Sequence, residues 1–261
     1  MSVQRVAIGV LVAFLAVCGS RPGAAAPDAG QVLAFSGQCF SEANGKRTPL
    51  KLGDKVHVGD TMQVPEGAKL RLRMNDGSVI SVASGGRMTI QDVTTEAGGE
   101  RKDVKLALVS GLIHAVVAPT SAPSRFEVDT ATGVASVRST DWFIDAERGT
   151  TKVAVLDGVV TVSGTARTHD VEVPRRSATV VESGRVPAPV RPVSDAEFAS
   201  LIARTNLLGS GLCQCIEDKS MLQAYCEPNT QACESFCNGR HYSYLPRAPD
   251  SCSAGLAMPN R

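Results

Sequence analysis

Four histidines and eight cysteines are the residues of this chain with the widest chemical reach. His57, His114, His169 and His241 stand far apart in sequence. His114 lies in an apolar run, "VKLALVSGLIHAVVA", where a histidine satisfied within a sheet is the expected reading, not a general base. The chain has no Gly-x-x-x-x-Gly-Lys loop to cradle phosphates, no Gly-x-Ser-x-Gly elbow and no His-Glu-x-x-His pair. Triads are recognised by geometry, so an envelope hydrolase with an unrecognised site is the third reading. The expectation is that the protein is not an enzyme and has no cofactor and no metal site.

The cysteines depend on compartment. "MSVQRVAIGVLVAFLAVCGSRPGAAAPDAG" carries Arg5, an apolar run from Val6 to Val17, and then small residues. That is the order of a secretory signal peptide, read here as residues 1–26. The run is short of the roughly 20 residues that span a bilayer. No second apolar run follows, so no membrane span is expected after processing. The alternative to cleavage is a lipoprotein anchored through Cys18, since Leu15-Ala16-Val17-Cys18 resembles a lipobox, with Val17 where a small residue is usual. The protein is thus expected in the periplasm or secreted, where cysteines form disulfides before they bind metal.

Cys39 stands alone, whereas Cys213, Cys215, Cys226, Cys233, Cys237 and Cys252 crowd into the tail. Cys213 and Cys215 would face one way on a strand and Cys233 and Cys237 one way on a helix. The separations agree, roughly 6.6 Å for two strand residues and roughly 6 Å for four helical ones. Bridges between those two pairs, in either order, with Cys226 left for Cys252, are the preferred arrangement among many. A four-cysteine zinc site competes poorly, because Cys213-x-Cys215 leaves a gap of one residue. Cys39 is then the odd thiol, either buried or bridging elsewhere.

A third group of reactive types is Arg138-Ser139-Thr140-Asp141-Trp142, which holds the only tryptophan of the chain. A bend at Ser139-Thr140 could present these residues to a partner. The competing reading is a local Arg138–Asp141 pair on a strand end, with Trp142 in the core or at its rim.

The elements that must position these residues read as β-structure. From Gln31 to Val181 apolar residues recur with period two and valine, isoleucine and threonine dominate. Asp76-Gly77 and Asp157-Gly158 predict hairpins of type I′. "TTEAGGERKD", residues 94–103, reads as a solvated loop, and "KLRLRM" as a strand with a solvated arginine face. The fold class is therefore all-β, a two-sheet sandwich or a flattened short β-solenoid, followed by a small helical disulfide-rich C-terminal segment. Pro187, Pro189 and Pro192 mark 184–194 as a linker. Ser194-Asp195-Ala196-Glu197 reads as a capping box opening a helix over about 195–207, whose stripe of Phe198, Leu201 and Ile202 would pack on the β body. Residues 195–261 are thus read as that helix plus a disulfide-stapled tail.

The order of these pieces is similar to the FecR domain family. It has Gly53-Asp54 and Gly59-Asp60 around a short strand, an Asp76-Gly77-Ser78 turn, a strand pair about Gly111, an Arg-Gly-Thr-x-Phe-type segment at Arg138–Phe143, and a closing pair from Val155 to Val160. The resemblance covers roughly residues 30–183. One departure is Ser139, where the family has glycine. The resemblance implies a non-enzymatic module outside the cytoplasm. In the namesake proteins it follows a cytoplasmic anti-sigma segment and a membrane helix, and it senses an outer-membrane transporter. Neither segment is read in this chain.

The net formal charge is +1, and loss of residues 1–26 removes Arg5 and Arg21 to leave 25 basic against 26 acidic residues. No basic stripe points to nucleic acid. The leading expectation is a binding or scaffold module whose partner is an envelope protein or a cell-wall polymer. The second is a regulatory sensor component acting with a separate membrane anti-sigma or transporter protein.

Overall fold

In the computed structural model of the protein, residues 26–96, 101–207, 211–217, 220–227 and 241–245 are described. The first nine strands are β1 (Asp28–Ser36), β2 (Phe40–Ala43), β3 (Lys46–Pro49), β4 (Lys55–His57), β5 (Thr61–Gln63), β6 (Lys69–Met74), β7 (Val79–Val82), β8 (Arg87–Thr95) and β9 (Arg101–Val116). There follow β10 (Arg125–Asp129), β11 (Gly133–Val137), β12 (Asp141–Glu147), β13 (Thr150–Asp157), β14 (Val159–Gly164), β15 (Asp170–Pro174), β16 (Ser177–Glu182), β17 (Arg191–Pro192) and the helix α1 (Asp195–Thr205).

The pairings trace two sheets. Sheet A runs β4-β1-β6-β7-β9-β12-β13-β16-β17. Sheet B runs β3-β2-β5-β8-β9-β10-β11-β14-β15. All these pairs are antiparallel except β9 with β10. The first half of β9 belongs to sheet B and the second half to sheet A. The chain crosses at Gly111, where φ is +87° and a Cβ would lie 2.7 Å from Gly86 Cα. Only glycine meets both conditions.

Period two sends one face of each sheet inward, and the two inner faces meet in a single core. Leu70, Leu72, Ile80, Ile113, Trp142 and Ile144 come from sheet A; Met62, Met88, Ile90, Leu106, Phe126, Val128 and Val162 come from sheet B. This is a two-sheet sandwich. Trp142 is fully buried, and its indole N–H finds no hydrogen-bond partner there.

The outer face of sheet A carries a second cluster, in which Leu112, Phe143, Ala154, Ala178 and Val193 receive Phe198 of α1. The capping box is present: Ser194 Oγ accepts from the backbone N–H of Glu197, whose carboxylate accepts from that of Ser194. Arg204 pairs with buried Asp145 at 2.9 Å, and Lys69 donates to the carbonyls of Ala203 and Asn206 at the helix C-terminus, where a cation is favoured. The outer face of sheet B is charged. Arg167 donates both guanidinium nitrogens to Glu127, and Lys105 bridges Glu127 and Asp129.

Several expectations need correction. The turn with positive φ at both central residues is Asn44–Gly45, at 51° and 73°; at Asp76-Gly77 and Asp157-Gly158 only the glycine is left-handed. Arg71 is buried, its Nε donating to Ser81 Oγ at 3.1 Å, so "KLRLRM" is not a solvated face. Residues 94–103 are not all loop, since β9 begins at Arg101, which is buried. Within 184–194, the backbone N–H of Ala188 donates to Val180, that of Val193 donates to Arg176, and β17 joins sheet A. Beyond residue 207, the described tail is not helical: Gly211–Glu217 (β18), Ser220–Glu227 (β19) and His241–Leu245 (β20) form a three-stranded sheet in the order β19-β18-β20. Cys213 and Cys215 lie on β18 and Cys226 on β19. Cys233, Cys237 and Cys252 lie outside the described residues, and with them the expected bridges. Residues 1–25, including Cys18, do so as well. Cys39 is a buried free thiol in the main core, and burial pushes it up to about 11.

Two outcomes follow from this packing. Trp142→Ala should cost about 3–5 kcal/mol in denaturant unfolding, whereas Trp142→Phe, which deletes an unpaired N–H with part of the ring, should cost far less. The Arg167 hydrogen bonds, opposed by burial and helped by Lys105, hold the Glu127 carboxyl at about 2 against an ordinary 4.5. A lowered carboxyl stabilises the fold above its unfolded value and loses that effect in acid. Glu127→Gln should therefore cost roughly 1–3 kcal/mol at neutral pH, and the gap to wild type should close as pH falls from 4.5 toward 2.

Candidate functional site

The bend predicted at Ser139-Thr140 lies between β11 of sheet B and β12 of sheet A, at one pole of the sandwich. Three other crossings or turns share this pole: Asp76–Ser78 between β6 and β7, residues 117–124 between β9 and β10, and Asp157–Gly158 between β13 and β14. Because β9 folds back at Gly111, its first residue also arrives here.

That residue is Arg101, and it closes the pole. Its Nη1 pairs with Asp76 Oδ2 at 2.6 Å, both side chains having 0% exposure. Its Nη2 donates to the carbonyl of Ala118 at 3.1 Å, to Ser124 Oγ at 3.4 Å and to the carbonyl of Arg138. One guanidinium thus joins the β6–β7 turn, the segment after β9, and the bend. The Asp76-Gly77-Ser78 motif gains a reason: Ser78 Oγ donates to Asp76 Oδ2 at 2.8 Å and accepts from the N–H of Ala118 at 3.0 Å. The Arg101 guanidinium also lies 5.8 Å from the Phe126 ring centre. Nothing in the polar surroundings of "GGERKD" distinguishes this arginine from a solvated one.

Above this lock the predicted residues separate. Arg138 and Ser139 are exposed, and the Arg138 guanidinium has no hydrogen bond or ion pair among the described residues. Thr140 is buried: its Oγ1 donates to the carbonyl of Val159 at 3.2 Å, and its own carbonyl accepts from Val117 at 2.9 Å. The bend packs onto Gly158, where a Cβ would meet Ser139 O at 2.9 Å. No residue from Arg138 to Thr140 has positive φ, so serine in place of glycine is sterically ordinary. Trp142 points into the core and offers no surface. Val159, 48% exposed, adds an apolar spot beside the bend.

Asp141 is not paired with Arg138. It meets His114 Nε2 at 2.6 Å on the outer face of sheet A, where the imidazole also stacks on Phe143 with centroids 4.2 Å apart. Ser81 lies opposite His114 in the register, but its hydroxyl accepts from Arg71. No hydrogen bond joins that hydroxyl to the imidazole. His57 stands elsewhere, 3.1 Å from Asp28 and 3.6 Å from Asp60. His169 is exposed. No group of three metal-ligating side chains occurs among the described residues. No helix among them is long and apolar enough to cross a membrane.

Fold and pole together define a β-sandwich module whose cross-sheet loops are held at one end by a buried arginine. Residues 60–161 match the model of the family described as FecR protein. The match starts just before β5 and ends within β14, so β1–β4 and β15–β17 extend the body beyond it. Two crystal structures of a proposed anti-sigma factor from Parabacteroides distasonis resemble the chain in shape. One has 17% identity and a TM-score of 0.45, covering 54% of this chain and 64% of that one. The other has 15% identity and a TM-score of 0.46, covering 59% and 66%. The matched region spans less than two thirds of either of those chains. Among curated proteins, none matches significantly.

Removing half of a buried ion pair strands the other charge. Arg101→Met should cost roughly 3–5 kcal/mol in unfolding, and adding Asp76→Asn should recover part of that loss. A single variant within about 1 kcal/mol of wild type in the same melts would show that the pair does not hold the pole.

Proposed function

We propose that this protein is an exported, non-enzymatic binding module of the cell envelope, and that its Arg138–Ser139 bend meets a protein partner. The observation that carries the reading is the construction of the bend. An exposed and unpaired cation projects from a loop whose backbone is fixed by Arg101, Thr140 and Gly158. A preformed loop loses little conformational entropy on binding, which is how rigid scaffolds support recognition. The FecR match supports a regulatory role for such contact. The module would then act with a separate membrane anti-sigma or transporter protein. The signal-like residues 1–26 support export. Against a hydrolase stands the Ser81 hydroxyl, which accepts from Arg71 and makes no hydrogen bond to His114.

The test uses a photo-crosslinking side chain at Ser139 in intact cells, with one at exposed Arg148, on the turn at the far end of β12, as control. Position 139 should yield a discrete protein adduct that 148 does not. Arg138→Glu should reduce its yield about tenfold or more while leaving the melting temperature unchanged. Equal adducts from both positions, or a yield indifferent to Arg138→Glu, would count against the bend as the contact.

A further inference from the structure

The helix α1 does not lie flush on sheet A. Between them is a cavity of about 280 Å³, floored by Phe143, Ala154 and Ala178 and walled by Leu201 and Arg204 of the helix. Its cause is visible in the register. Phe143, Ala154 and Ala178 form one row across β12, β13 and β16, so two alanines lie side by side beneath the helix. The helix is held by Phe198 at one end of its stripe and by polar anchors at its ends: Arg176–Asp195, Arg191–Glu197, Arg204–Asp145 and Lys69 to the last carbonyls. Of these, the pair of Arg204 with buried Asp145 and the Lys69 bond to Asn206 are the least exposed, and the alanines beneath the helix do not fill the gap.

The charges around the cavity are unequal in how they are used. Asp145 is bound to Arg204 and Glu197 to Arg191, both at 2.9 Å. The fifth charged lining residue is Lys152, whose carboxylate partner, Glu147, lies off the lining and is half-exposed. An apolar floor thus has one cation at its rim that a ligand can recruit at small cost, because an exposed pair such as Lys152–Glu147 is worth little. The volume lies just below the roughly 300–1,000 Å³ of common ligand sites, so the occupant is small.

We infer that this cavity binds a small amphiphile with an apolar body and a single carboxylate, the body on Phe143, Ala154 and Leu201 and the carboxylate at Lys152. The same chemistry is offered by a medium-chain acid free in solution and by a fatty acid held in a membrane. The site is separate from the bend and does not depend on the role proposed for it.

Calorimetric titration of the exported chain with decanoate, kept below micelle formation, tests the site. Saturable binding with Kd below about 1 mM is expected. Ala154→Phe, which fills the cavity, and Lys152→Glu, which reverses the rim charge, should each weaken it roughly tenfold or more. Lys152 is exposed, so its variant keeps the fold even if Ala154→Phe shifts the helix. Arg138→Glu should leave decanoate binding unchanged, which separates this site from the bend. A parallel titration with phosphatidylglycerol vesicles doped with oleic acid assigns the source: competition with decanoate beyond that of undoped vesicles points to a membrane-held acid, its absence to the free acid. No saturable decanoate binding, or binding that neither cavity variant weakens, would overturn the assignment.

Discussion

Strand β9 must serve both sheets, and it does so by reversing direction at Gly111 against the backbone of Gly86. Sheet B pairs with its first half and sheet A with its second, so the two layers are joined by continuous chain at their centres. The fold-back also brings Arg101 level with Ala118, just past the other end of the same strand. Without that reversal, neither the shared core nor the closure of the pole would exist.

The pole illustrates how a buried charge can organise loops that have little apolar surface of their own. Arg101 is buried, and its Nη1 and Nη2 donors are used on three separate segments, while Nε–H finds no partner there. Buried ion pairs are weak evidence for stability, since desolvation offsets much of the attraction. Their stronger effect is geometric: a fork of donors admits few loop arrangements. The bend at Arg138–Ser139 inherits that restriction through a backbone carbonyl, which leaves its side chains free to face outward.

The two sides of sheet A divide labour by the same period-two rule. Inward lie Trp142 and Ile144; outward lie Asp141, Phe143 and Asp145. Asp141 fixes His114, Phe143 receives Phe198, and Asp145 anchors Arg204, so the polar residues of one strand each find a partner on a different element. The helix is thus an added layer on the sandwich, held by polar contacts over a lightly packed seam.

Much of this was legible in the residues. Alternation marked the strands and their inward faces because burial on a pleated surface leaves a local, period-two signature. The capping box marked the start of α1 because its bonds span three residues. Gly111 was placed at a strand pair, and Trp142 within or at the rim of the core. Long-range pairings were not legible: Arg101 with Asp76, Asp141 with His114 rather than Arg138, and Arg71 under cover beside Ser81. A charged side chain has the same local sequence whether it faces water or a partner decades of residues away. Cys213 and Cys215 were read on a strand from their two-residue spacing and lie on β18, whereas the helix read from the four-residue spacing of Cys233 and Cys237 falls outside the described residues. Sequence alone settled most of the extended stretches and the inward face of their apolar residues, since those properties are written within a few residues. Only the tertiary structure decided which charges are buried together, because that depends on where β9 turns back and which segments it brings to the same end.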